Sequence, residues 1–400
     1  MIRSKIKLGN GAPPNIIFKL ADTKDELEQA FRVLHDAYVD QGYMSPHASG
    51  LRVTKYHALP TTAVLIAKDT TNGLVVGTVS IVRDTPLGLP LDSAFPLLHI
   101  KKEYNHLAEV SSLAIRKDYR KKPSDLLWPL LRFFYLYLRN VMKVDAYVIG
   151  VNPLWHDLYT GILGFTQLKG FQSENYSFAN NAPVSAYFVN VAEQELIFYK
   201  FYAHLPIYAN FYHYCIHLKL SSTQYRFPKN KYISVQNTIM NEDFFNYFFK
   251  EKTDALQLMS EDEKNMIQVY YPNKSFSKLI HGNKAHLVDL RRANRFITRF
   301  KALIKLGPTF EKNIEATVLD FSATGLRVST ESELPNKIEL CILVGDYESA
   351  NLHAKVCRHE AQYYGLEILS SDQAWTDLID EMQLQFKTTT VFNEKKHIAS

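Results

Sequence analysis

HLAEVSSLAIRKDYRKKPSDLLWPLLRFFYLYLRNVM, residues 106–142, decides how the first half of this chain folds. Residues 106–115 read as a strand that is apolar apart from Glu109 and a serine pair. Residues 123–142 read as a long apolar helix, with Ser124 in the position of its cap. Between them lies a short basic turn. A buried strand feeding a buried helix through a charged turn is the central piece of an α/β layer.

The flanks agree. Upstream, DTKDELEQAFRVLHDAYVDQGY offers Asp22 or Thr23 as a helix cap and places Leu27, Phe31, Leu34 and Tyr38 at helical spacing. AVLIAKD and LVVGTVSIVRD, joined by TTNG, read as a hairpin. Downstream, AYVIGVN is a buried strand, PLWHDLYTGIL a helix and SAYFVNV a last strand. From 193 to 280 the chain is rich in aromatics and mostly helical in period. It includes a helix capped by Ser260, and NKSFSKLIHGNKAH (273–286) reads as a linker. From about Leu287 the pattern changes to short strands: RFITRFKALIKL, IEATVLDFSATGLRVST, KIELCILV, NLHAKVCRHE and QYYGLEIL. These suggest a small barrel, closed by a helix from DQAWTDLIDEMQLQF.

Composition sets limits. At roughly 150 residues per domain, 400 residues make two or three domains. Hydrophobic residues are 46% and charged residues 22%, enough for real cores. A net charge of +5, from 46 basic and 41 acidic residues, does not mark a nucleic-acid-coating protein, and the basic residues are not interleaved along an aromatic groove. We expect no nucleic acid polymer as partner. Cys215, Cys341 and Cys357 have no metal-ligand or disulfide spacing, so we expect no metal and a reducing cytoplasm. No apolar run approaches the roughly 18 residues of a membrane span, and the first twenty residues lack the apolar core of a signal peptide.

The N-terminal order resembles the GNAT fold, and more closely the FeeM-type N-acyl amino acid synthases, which are related to acyl-homoserine lactone synthases. The resemblance is carried by HDAYVDQGYM (35–44), DTPLGLPLDSAF (84–95), LAEVSSLAI (107–115) and VNPLWHDLYTGILGF (151–165). It implies transfer of a fatty acyl group from an acyl carrier protein, as the acyl-phosphopantetheine thioester, to the α-amine of an amino acid. No prosthetic group is implied.

The residues can be set against that chemistry. Glu109 is the candidate base, because a carboxyl in an apolar strand has its pKa raised. The alternative is a structural carboxylate paired with an arginine. A splayed strand pair can offer N–H groups near Val110, Ser111 and Ser112 to the thioester oxygen. Asn152 and Tyr159 stand where the family has a tyrosine that protonates the leaving thiolate. The stretch from Tyr159 to Gly164 is one residue longer than the usual pattern. Packing is the alternative for Tyr159. Arg52 is the candidate for the acceptor's carboxylate and Asp84 for its ammonium.

In RKKPSD (120–125), Arg120 keeps the first position of the pyrophosphate loop, but Pro123 and Asp125 replace its glycines. Loss of an N–H and a negative charge at a helix start both disfavour CoA. They leave Arg116, Lys117, Arg120, Lys121 and Lys122 to dock an acidic carrier protein. The long helix and the aromatic segment can line an acyl slot or simply form core. The acyl product gives a route to peripheral membrane or lipid contact.

In the β half, LRRANRF (290–296) carries Arg291, Arg292 and Arg295, and DFSATG carries Asp320, Ser322 and Gly325. R-x-x-x-R followed by D-x-S-x-x-G resembles the PilZ domain, a six-stranded barrel that binds cyclic di-GMP. The resemblance implies that the arginines grip phosphate and guanine, for which guanidinium is suited. Asp320 then accepts from a guanine N–H edge, Ser322 donates, and Gly325 allows close approach or a positive φ.

The expected architecture is therefore an α/β GNAT-like acyltransferase domain with a helical extension, followed by an all-β PilZ-like six-stranded barrel. Its segments are 1–192, 193–280, 281–385 and a tail at 386–400. The competing function is a non-catalytic cyclic di-GMP effector that uses the first fold to bind protein or lipid.

Overall fold

A computed structural model describes residues 2–9, 11–104, 106–120, 124–228, 240–268, 270–271, 274–282, 296–305, 313–344 and 348–382. The chain divides into two compact units, Met1–His57 with Thr62–Pro228, and Ala58–Thr61 with Lys229–Ser400.

The first unit is built on a seven-stranded sheet. Its strands are β1 (Ile16–Leu20), β2 (Thr62–Asp69), β3 (Val75–Arg83), β4 (Leu107–Ile115), β5 (Ala146–Val151), β6 (Thr166–Tyr176) and β7 (Ala182–Asn190), in the order β1-β2-β3-β4-β5-β7-β6. Every pairing is antiparallel except β4 with β5. That parallel pairing covers only Leu107–Glu109 against Ala146–Val148. Beyond it β4 stays with β3 as far as Ile115, and β5 stays with β7 as far as Val151. The sheet thus opens into a V whose apex is Glu109.

Helix α1 (Lys24–Asp40) begins where Thr23 accepts the Glu26 N–H, and it buries Leu27, Phe31 and Leu34 as its spacing predicts. Helix α2 (Leu98–Glu103) precedes β4. Helix α3 (Leu127–Leu136) buries every residue from Trp128 to Leu136 and runs into a wide turn at Tyr137–Val141. It starts later than its sequence suggests. Leu126 occupies the cap position without a side-chain bond, and the Ser124 hydroxyl donates to Asp125 instead. Helix α4 (Val191–Tyr202) follows β7 directly. Of the aromatics after it, Phe211 and Tyr214 are core: Phe211 contacts Trp128, Phe198, Tyr202 and Tyr214, while Tyr208 is exposed.

β1 and β6 were not apparent in the sequence. β6 is long but polar and pairs with β7 through two register shifts, so it carries no clean alternation. The outer edge of β1 is covered by residues 224–226: Phe18 donates to the Gln224 carbonyl and accepts from the Arg226 N–H.

In the second unit, α5 (Glu242–Asn246) and α6 (Glu261–Gln268) match the expected pair of helices. Ser260 and Glu263 cap α6 reciprocally. The linker expectation is corrected by α7 (Lys274–His281), because Phe276 and Ile280 lie four apart and are both buried.

The β half closes into a six-stranded antiparallel barrel, β10-β13-β12-β11-β8-β9. Its strands are β8 (Phe296–Lys305), β9 (Asn313–Phe321), β10 (Gly325–Ser329), β11 (Lys337–Leu343), β12 (Ser349–Glu360) and β13 (Tyr363–Ser371). Helix α8 (373–382) adds Trp375, Leu378 and Met382 to the barrel core, with the Trp375 ring 5.1 Å from Phe321. Among the described residues no helix is long and apolar enough to cross a membrane.

Trp375→Ala removes the largest side chain from that core. We expect a loss of about 3–5 kcal/mol of barrel stability, read from the denaturant midpoint by far-UV circular dichroism. A shift below 1 kcal/mol would show that α8 does not plug the barrel.

Candidate functional site

The V between β4 and β5 organises the first unit's polar residues. Glu109 is 1% exposed and accepts one hydrogen bond, from the Leu91 N–H at 2.8 Å. Among the described residues it makes no ion pair, which disposes of the paired-carboxylate alternative. Burial raises its pKa well above the ordinary carboxylate range. The Leu91 N–H opposes the shift, Asp92 adds to it, and Lys101 opposes it. The fold thus favours the protonated form of this carboxyl.

Past Glu109 the β5 side of β4 has no ladder partner. There the strand bulges: Thr78 pairs with Ala114 but Ser80 with Ser111, and Ser112 takes φ 59°. A left-handed serine costs about 1–3 kcal/mol and turns the peptide groups around it out of the ladder. The Ser111 and Ser112 hydroxyls lie 3.4 Å apart, and Ser112 also bonds the Tyr38 hydroxyl. Peptide N–H groups left without a strand partner can stabilise a developing oxyanion.

Arg52 enters the same neighbourhood. Its Nη2 donates to the Phe178 carbonyl at 2.5 Å, and its guanidinium lies 4.3 Å from the Tyr38 ring centre and 4.9 Å from that of Phe178. Its Nε has no partner, and among the described residues it meets no carboxylate. Burial lowers its pKa, while Tyr38 and Tyr176 act the other way. The Tyr176 hydroxyl is pushed far up by burial, then by Glu109 and Tyr38, so these four groups share one electrostatic environment. A guanidinium has the donor geometry to pair with a carboxylate.

The other expected residues are placed less uniformly. Asn152 caps the turn Pro153–Trp155 by accepting the Leu154 N–H at 3.0 Å. Tyr159 lies in a wide π turn, Asp157–Ile162, which absorbs the extra residue before Gly164. Its ring stacks on Tyr187 at 6.1 Å, and burial, then Tyr38 and Tyr187, push its hydroxyl up. Asp84 is in an ion pair with Lys101 at 2.9 Å. Arg120 donates to the Ile115 carbonyl at 2.7 Å and pairs with Asp40 at 3.3 Å, where Lys117 also pairs at 3.4 Å. Lys121, Lys122 and Pro123 lie outside the described residues.

In the barrel, Asp320 and Ser322 are both 4% exposed at the end of β9. Asp320 faces Arg327 across the β9–β10 pair in a 2.8 Å ion pair. Ser322 closes the hairpin, with N–H and hydroxyl both donating to the Gly325 carbonyl at 2.7 and 3.2 Å. Gly325 opens β10 and is not among the described glycines with positive φ, so of its two expected roles only close approach remains. Arg291, Arg292 and Arg295 lie outside the described residues. Among the described residues no cluster of side chains suits a metal.

Sequence reasoning missed Tyr38 as a site residue, because its helical spacing made it look like core. It named Ser112 for a backbone N–H but missed its left-handed backbone, which has no composition signal. It also missed Arg327, two residues past the motif glycine, which the β9–β10 pairing sets opposite Asp320.

The raised pKa of Glu109 has a signed consequence. Between its ordinary value of 4.5 and its raised folded value, the native state holds a proton that the unfolded chain has released. Its contribution to stability is therefore full below that window and falls as pH rises through it. Glu109→Gln keeps an acceptor for Leu91 and removes the ionisation. We expect its melting temperature to exceed that of the wild type by more at pH 8 than at pH 5. An equal difference at both pH values would refute the buried acid.

With this geometry in hand, the comparisons can be read. Residues 29–190 match the family model of N-acyl amino acid synthase FeeM, and residues 289–382 match that of the PilZ domain. No curated protein matches the chain. Among solved structures, FeeM, an N-acyl amino acid synthase from uncultured soil microbes, is 24% identical over 46% of this chain and 95% of its own, with a TM-score of 0.39. The AHL synthase LasI is 17% identical over 44% of this chain and 90% of its own, with a TM-score of 0.35. BjaI, a CoA-dependent acyl-homoserine lactone synthase, is 17% identical over 46% of this chain and 88% of its own, with a TM-score of 0.32. The chain joins an N-acyltransferase domain of the N-acyl amino acid synthase FeeM family to a PilZ domain.

Proposed function

We propose that the first unit moves a fatty acyl group from an acyl carrier protein thioester to the α-amine of an amino acid, and that cyclic di-GMP bound by the PilZ domain controls it. The observation that carries this reading is a buried carboxyl without an ion pair at the apex of the V and a guanidinium with no carboxylate of its own, both felt by Tyr38 and Tyr176. An amino acid supplies both missing partners.

In this reading Arg52 takes the acceptor's carboxylate. The Glu109 carboxylate removes a proton from the ammonium, and the freed lone pair attacks the thioester carbon. The new C–N bond pushes the carbonyl electrons onto oxygen, where N–H groups along Val110–Ser112 stabilise them. Collapse breaks the C–S bond, the thiolate takes its proton from Tyr159, and the former amine gives its surplus proton back to the Tyr159 oxygen to leave the neutral amide. Asn152 positions the turn that leads to Tyr159. Asp84, held by Lys101, belongs to the wall of the site, and Ser111 to its donor side. Arg116, Lys117 and Arg120 lie beyond the end of β4, where an acidic carrier protein would dock. Pro123 and Asp125 in the place of glycines favour that donor over CoA. Donor and nucleotide both point to the cytoplasm.

In the PilZ domain, Asp320 and Ser322 supply the guanine and phosphate contacts together with Arg291, Arg292 and Arg295. Cyclic di-GMP alters activity only by binding one state of the chain better than another.

We expect Glu109→Gln to lower kcat/KM by about 10²–10⁴-fold, with wild-type kcat/KM rising with pH as Glu109 ionises. Arg52→Met should raise KM for the amino acid by about 10- to 100-fold with a smaller change in kcat. Mass spectrometry of the products checks both. Full activity in Glu109→Gln, or no acylated amine from wild type with any amino acid, overturns the reading in favour of a binding module. Calorimetry should show cyclic di-GMP binding to wild type and its loss in Arg291→Ala and Arg295→Ala.

A further inference from the structure

The segment DTPLGLPLDSAF (84–95) is only partly used by the reaction above. In the structure it is a closed loop wrapped over the apex of the V. Gly88 donates to the Thr85 carbonyl at 2.8 Å, and Asp92 accepts from the Leu89 N–H at 2.6 Å. Gly88 has φ +78°, and a Cβ there would lie 2.7 Å from an Asp92 carboxylate oxygen, so the loop closes only around glycine. Leu91 fills the gap between the parting strands: a Cβ on Gly150 of β5 would lie 2.7 Å from Leu91 Cδ2. The same residue's N–H reaches Glu109 at 2.8 Å.

One side chain ties this loop down. Lys101, on α2, pairs with Asp84 at 2.9 Å and with Asp92 at 2.5 Å, and so bridges the two ends of the loop. All three groups are partly buried. The bridge fixes the turn Pro90–Ser93, and this turn carries Glu109's single hydrogen-bond donor. We propose that Lys101 is a positioning residue for Glu109, holding the 84–93 loop closed so that the Leu91 N–H and the lysine's own charge stay on the carboxyl at the apex of the V.

This rests on the assignment of Glu109 as the base. The titratable and charged groups facing Glu109 are Asp92 and Lys101 from the loop and α2, Tyr38 from α1, and Tyr176 from β6. Asp92 favours the protonated carboxyl and Lys101 the ionised one. Their removal should therefore act in opposite directions, which mere damage to the loop would not produce.

The test uses the full chain and two readouts. One is the acidic midpoint of the kcat/KM profile for acyl transfer. The other is the C=O stretch of the protonated Glu109 carboxyl in the infrared, assigned by its loss in Glu109→Gln. Lys101→Met should move both midpoints up by about one pH unit, Asp92→Asn should move them down, and Lys101→Arg should restore the wild-type value. Unmoved midpoints in folded Lys101→Met and Asp92→Asn overturn the proposal, as does an equal effect of Lys101→Met and Lys101→Arg. If Lys101→Met does not fold, Asp92→Asn decides: a downward shift supports the proposal and no shift refutes it. If wild type transfers no acyl group, the proposed reaction falls, and the infrared midpoints still decide the role of Lys101.

Discussion

Where β4 and β5 part, the protein buries a carboxyl group and gives it one backbone N–H in place of a counter-ion. An ionised carboxylate in such a place is costly, so the group keeps its proton until something makes ionisation worthwhile. The rest of the first unit is arranged around that condition. The strands part just past the carboxyl, and Leu91 lies in the gap beside Gly150. A bulge breaks the β3–β4 register at Ser112. Arg52, stacked between aromatic rings, carries the opposite charge without spending it on a carboxylate of the fold. Neither group has an ion-pair partner among the described residues.

The barrel solves the opposite problem. Asp320 is as buried as a core residue, yet Arg327 faces it at 2.8 Å. Its charge is met inside the fold, so the hairpin stands ready without a ligand. Any donor that approaches Asp320 meets an ion pair already formed. The hairpin is otherwise rigid, since Ser322 uses both its N–H and its hydroxyl on the Gly325 carbonyl.

Much of this was legible in the residues. Strands with clean apolar character, such as β2, β3 and β5, announced themselves, as did the capped helices α1 and α6 and the alternating strands of the barrel. Glu109 was visible because a carboxylate in LAEVSSLAI breaks the pattern of its own strand. What stayed hidden had a common cause: its meaning depends on partners distant in sequence. β6 is polar because it lies at the edge of the sheet, and α7 is short enough for its flanking polar residues to look like a linker. Asp84 looked available for an ammonium until the fold brought Lys101 to it. Asn152 reads as a site residue in sequence and acts as a cap in space. Ser124 was the natural cap for α3, but the helix starts two residues further on.

The first sheet does not end at its last strand in sequence. Residues 224–226 return to lie against Phe18 and take up both its N–H and its carbonyl. Phe18 and Tyr225 stack with centroids 4.9 Å apart. The outer edge of β1 is thereby sealed by a stretch that lies well beyond residue 190, where the FeeM family match stops. A fragment cut at that family boundary would leave β1 open along its hydrogen-bonding edge, the kind of surface on which chains pair with one another and precipitate. A fragment that keeps the edge of β1 covered has to reach at least Arg226, near Pro228 where the first compact unit ends.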